Sequence, residues 1–72
     1  MVTSMFMNWL VRFGYNVIVS HETSTAFTNG MFVVAAFSDC ITIARIDGSE
    51  YHKLEFTDRE FMNRVCGILD LR

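Results

Sequence analysis

Two rhythms of apolar and polar residues run along this chain. Between residues 24 and 56 the apolar runs are short and broken by turn chemistry, the period-two signature of strands. Asn29-Gly30 separates Thr25-Ala26-Phe27-Thr28 from Met31-Phe32-Val33-Val34, and Asp47-Gly48 separates residues 41–46 from 51–56. Both dipeptides predict tight hairpins of the type I′ kind, which needs positive φ at two successive residues. Ser38-Asp39-Cys40 supplies a third turn. An antiparallel meander over 24–28, 31–37, 41–46 and 51–56 follows. In its last pair, Ile41, Ile43, Leu54 and Phe56 fall on one face. Thr42, Ala44, Ile46, Tyr51, Lys53 and Glu55 fall on the other.

The rhythm changes after Phe56. Phe61, Val65, Ile68 and Leu69 follow the i, i+4, i+7, i+8 stripe of a helix. Thr57-Asp58-Arg59-Glu60 matches a capping box, with Phe56 and Phe61 at the positions of a hydrophobic staple. Gly67 weakens the helix interior by about 1 kcal/mol relative to Ala, so a fray or a close backbone neighbour is expected there.

The N-terminal segment fits both rhythms. Met5, Met7, Trp9, Val11, Phe13, Tyr15, Val17 and Val19 alternate, while Phe6, Trp9, Leu10 and Phe13 make a helical stripe behind Thr3 or Ser4 as cap. Gly14 favours the helix, because it stands where a C′ glycine belongs, and a strand then opens over residues 15–19. The expected fold is α+β, one domain over residues 1–72. It comprises a small antiparallel meander of about four strands with an N-terminal and a C-terminal helix packed on one face.

Composition changes this picture in one respect. Hydrophobic residues make up 51% of the 72 and charged residues only 19%, against roughly 25% charged in an average globular domain. A chain this short buries only about 60% of the surface its unfolded form exposes. Of fourteen charged side chains, only Arg12 and Glu22 lie in residues 1–38. The first half has few groups that need water, so it is expected to be either central to the core or covered by another molecule.

Candidate chemistry is thin. His21, Cys40, His52 and Cys66 are scattered, without the spacing of a metal site. Cys40 follows Asp39, which would raise the thiol pKa rather than activate it, and Cys66 falls beside the apolar stripe of the last helix. The four glycines (14, 30, 48 and 67) are isolated, which leaves no phosphate loop. The sequence therefore reads as a non-enzyme, with no cofactor and no metal. A net charge of −2 gives no footprint for nucleic acid. Arg45, Tyr51 and Lys53 are the residues a single-strand binder would use, and that reading ranks third. No stretch reaches the roughly 20 apolar residues of a membrane span. The first four residues lack the basic start of a secretory signal, and two lone cysteines suit a reduced, cytoplasmic setting.

The expected function is stoichiometric binding of another protein. Met1, Met5 and Met7 beside Phe6 and Trp9 form a soft, uncharged surface, and Met and aromatic residues are enriched in interfaces. Residues 31–37 are apolar on both sides, and one layer of helices covers only one face of a sheet. Candidate contact residues are Met5, Met7, Val11, Val34, Ala36, Ile46 and Tyr51. Size and style suggest a phage- or plasmid-type inhibitor that blocks a host enzyme or defence complex. A homodimeric structural or regulatory module is the alternative.

Overall fold

The computed structural model describes residues 2–70, the side chains of Val2 and Thr3 excepted. Helix α1 (Val2–Arg12) leads into a five-stranded sheet: β1 (Asn16–Ser20), β2 (Ser24–Thr28), β3 (Phe32–Phe37), β4 (Cys40–Arg45) and β5 (Tyr51–Glu55). Helix α2 (Phe61–Leu69) closes the order. The sheet is an antiparallel meander in chain order, β1-β2-β3-β4-β5, so β1 and β5 are its edges. It has one strand more than the expected four, because the segment opening after Gly14 joins the sheet as β1.

Gly14 ends α1 as the sequence predicts. Its φ is +89°, and the turn is closed by two backbone bonds. Gly14 N–H donates to Val11 O at 3.1 Å and Tyr15 N–H to Leu10 O at 3.1 Å. This is the paired 5→2 and 6→1 pattern of a Schellman motif, which satisfies carbonyls the helix leaves open. Thr3 and Ser4 lie inside α1, which starts at Val2, so neither is its cap.

The hairpin positions agree with the sequence but the turn chemistry differs. Gly30 and Gly48 have positive φ, whereas Asn29 and Asp47 do not, so neither loop is type I′. Asn29 Oδ1 instead accepts from Met31 N–H (2.9 Å) and Phe32 N–H (3.0 Å). Asp47 Oδ1 accepts from Ser49 N–H (2.9 Å) and Ser49 Oγ (2.6 Å). Short carboxylate and amide side chains capture nearby N–H groups in this way without needing left-handed backbone at their own position.

The start of α2 is a correction. The capping box at Thr57 does not form, and the helix begins at Phe61 with no side-chain cap at Glu60. Asp58 takes over. Its Oδ1 accepts from Glu60 N–H at 2.8 Å, its carbonyl accepts from Phe61 N–H at 3.1 Å, and its Oδ2 pairs with Arg64 at 2.7 Å. Glu60 turns forward to accept from Asn63 Nδ2 at 2.9 Å instead of reaching back to Thr57. The carboxylate of Asp58 is a stronger acceptor than the Thr57 hydroxyl and also gains an ion pair. The helix runs through Gly67 with no neighbouring atom within 4 Å of where a Cβ would stand, so no close approach explains that glycine.

The core lies between the helices and one sheet face. It contains Phe6 and Leu10 of α1, Tyr15, Phe27 of β2, and Phe32, Val34 and Ala36 of β3. Ile41, Ile43, Leu54, Phe61, Val65 and Leu69 complete it. Ile41, Ile43 and Leu54 share the buried face as the alternation predicts, with Phe56 half-buried at its margin.

Candidate protein-binding surface

Alternation along each strand leaves a second face that no described element covers. The register aligns its residues in rows across the strands. One row runs Thr28, Val33, Ala44, Tyr51; the next runs Val19, Ala26, Ala35, Thr42, Lys53. Ser24 opposite Phe37 and Cys40 opposite Glu55 flank them. The centre of this face is flat, because its side chains are Ala, Val and Thr, and Phe37 and Tyr51 stand at its margin. Tyr51 is 68% exposed.

Two candidate contact residues fall on the wrong face. Val34 is 0% exposed and Ala36 is also buried, because the helices cover the even-numbered side of β3. Residues 33, 35 and 37 form the free side. Both sides of β3 are apolar, so the sequence did not distinguish them. Met7 is half-buried against the core. Met5, Val11 and Ile46 are exposed as expected, but α1 holds Met5 and Val11, whereas Ile46 is at the loop after β4. Met5 and Val11, on the helix, do not join Tyr51 on the open face of the sheet. Met1 lies outside the described residues.

A separate cleft of about 450 Å³ opens between α1 and the start of α2. Met5, Phe6 and Trp9 form one wall and Phe56, Phe61 and Met62 the other, with Asp58 and Arg59 at the rim. Its aromatic rings are packed on one another. Phe6 stacks on Trp9 at 5.8 Å and meets Phe56 and Phe61 edge-on at 5.9 and 5.4 Å.

The polar groups are dispersed. Arg45 lies over the Phe32 ring (5.1 Å) and 3.7 Å from Asp47, on the other side of β4 from the row that carries Lys53. Arg45, Tyr51 and Lys53 therefore do not converge. Burial raises the Cys40 thiol pKa, and a hydrogen bond and negative charge from Asp39 raise it further. Cys40 and Cys66 are free. Among the described residues, no group of three or more His, Cys, Asp or Glu side chains comes together as a metal site. No described helix is long and apolar enough to cross a membrane. Among the described residues the buried set holds no charged side chain, and the one buried side-chain oxygen without a partner is Tyr15 Oη.

Sequence reasoning missed strand β1 as a surface. Val17, Ile18 and Val19 are all about half exposed, and the uncharged run Asn16-Val17-Ile18-Val19-Ser20 was the available signal. Comparisons with protein-family models, with curated proteins and with solved structures return no match.

Proposed function

We propose that this chain is a non-enzymatic protein-binding module that acts stoichiometrically through the open face of its sheet. The observation that carries this reading is the uncovered pair of cross-strand rows centred on Val33, Ala35 and Ala44. A flat apolar centre with aromatic margins suits close approach by a partner's own packed surface, and contiguous apolar patches on small proteins mark interfaces. The finer form of the proposal is a phage- or plasmid-type inhibitor that blocks a host enzyme or defence complex in the cytoplasm, where Cys40 and Cys66 stay reduced.

The test is a charge placed on that face. Val33→Glu should abolish a one-to-one complex with the target while leaving circular dichroism and Tm intact. Val11→Glu, on the exposed side of α1, should leave the complex unchanged. Equal binding by the wild type and Val33→Glu would sink the proposal. A second reading, a homodimeric module, is favoured by the exposed β1 edge. Single-strand nucleic-acid binding loses its support from the dispersal of Arg45, Tyr51 and Lys53.

A further inference from the structure

The cleft between α1 and the start of α2 is separate from the open face of the sheet, and both of its walls are apolar. Its volume of about 450 Å³ falls within the roughly 300–1,000 Å³ of small-molecule sites. The protein's own packing holds the walls in place. Phe6 packs on Trp9, Phe56 and Phe61, and Trp9 in turn lies 4.8 Å from the Phe13 ring. Met5 on one wall is 71% exposed and Met62 on the other 41%.

The rim carries one acid and one base, and they are not equivalent. Asp58 is committed: its Oδ1 accepts from Glu60 N–H, and its Oδ2 accepts from Arg64 at 2.7 Å. The carboxylate of Glu60, next to Arg59 in the chain, accepts from Asn63. The two ion pairs among the described residues use Arg45 and Arg64. Arg59 therefore stands exposed at the rim with its charge unmatched among them. The charge the cleft offers to a ligand is positive. A guanidinium can hold a carboxylate through two parallel N–H donors, which orients the ligand as well as attracting it.

The apolar part of the ligand follows from how the walls are built. Each ring of the cleft already packs on another ring. A flexible alkyl chain needs no free ring face, and a thioether on each wall can follow its contour. We infer that this cleft binds an amphipathic monocarboxylate of the fatty-acid type, with its chain between the two walls and its carboxylate on Arg59. The site is independent of the proposed protein-binding surface, because it uses none of the residues on the open face of the sheet.

Trp9 is the one tryptophan of the chain and lines the cleft, so its fluorescence reads occupancy directly. Titration with decanoate below its micelle concentration should move the emission to shorter wavelength and saturate. Decylammonium, with the same chain length and the opposite charge, should bind more weakly. Arg59→Ala should loosen decanoate by about three- to fivefold, the upper range for an exposed ion pair, and should not loosen decylammonium. Arg59→Lys should restore most of the difference. Met5→Glu puts a carboxylate on the wall and should abolish decanoate binding with circular dichroism unchanged. Three results would overturn the inference: no saturable change with decanoate, equal affinity for the two amphiphiles, or wild-type decanoate affinity in Arg59→Ala. Val33→Glu should bind decanoate as the wild type does. A loss there would place the chain on the open sheet face and would overturn the inference as well. Decanoate binding retained in Val33→Glu, whatever becomes of its protein complex, keeps this inference and the proposed function separately testable.

Discussion

The rings of Phe56 and Phe61 stand 5.0 Å apart, centroid to centroid, with their planes tilted by 42°. Their spacing in the sequence is that of a hydrophobic staple, and the contact forms although the capping box between them does not. Phe6 meets both rings edge-on, so the pair also anchors α1 to the start of α2. Phe61 is buried and Phe56 only half-buried. Phe61→Ala should therefore cost about 3–5 kcal/mol, and Phe56→Ala should cost less. Urea unfolding of the two variants checks the order; a larger loss at Phe56 would contradict it.

Asp58, not Thr57, holds the approach to α2. Thr57→Ala should leave Tm nearly unchanged, while Asp58→Ala should lower it by removing the acceptor for Glu60 N–H and the partner of Arg64. The Asp58 carboxyl is held below its ordinary pKa, first by the Glu60 N–H bond and then by Arg64. The Asp47 carboxyl is lowered by the Ser49 hydroxyl and N–H. A depressed folded-state pKa means these groups bind fewer protons folded than unfolded. Their contribution is complete above the ordinary carboxylate range near about pH 4 and is lost as pH falls through the lowered values. Thermal melts from neutral to acid pH should show this loss in the wild type and less of it in an Asp47→Asn, Asp58→Asn double variant.

Tyr15 is 1% exposed and its hydroxyl has no partner among the described residues. A buried hydroxyl without a hydrogen bond loses its hydration and gains nothing in return. Tyr15→Phe should keep or raise stability, whereas Tyr15→Ala should lose about 3–5 kcal/mol through the cavity it leaves. Burial also raises the phenol pKa. Because the folded-state value lies above the unfolded one, stability should fall as pH rises past about 10. Tyr15→Phe should remove that part of the alkaline loss, and denaturant midpoints on either side of that pH measure it.

Gly14 and Gly67 should respond in opposite senses to alanine. A Cβ at Gly14 meets no atom within 4 Å, but its φ of +89° is strained for any L side chain. Gly14→Ala should therefore destabilise by about 1–2 kcal/mol. Gly67 sits in α2 with open space around it and no positive φ. Gly67→Ala should stabilise by about 0.5–1 kcal/mol. Paired thermal melts read both signs directly.

By itself, the sequence determined the kinds of element and most of their places. Helical spacing at Phe6 and Leu10 and at Phe61, Val65 and Leu69, strand alternation from Ser24 to Glu55, and turn residues at Gly14, Asn29-Gly30 and Asp47-Gly48 are local signals. Local backbone preference suffices to read them, and hairpin loops that short leave a meander as the natural topology. Three other features needed the tertiary structure. Which side of β3 is covered depends on where α1 and α2 land, and Val33 and Val34 are equally apolar, so no residue marks the choice. The start of α2 depends on a contest between the Thr57 hydroxyl and the Asp58 carboxylate, decided by Arg64 six residues further on. The standing of β1 as an edge depends on which described strands lie beside it, and periodicity along the chain carries no information about what neighbours a strand in space.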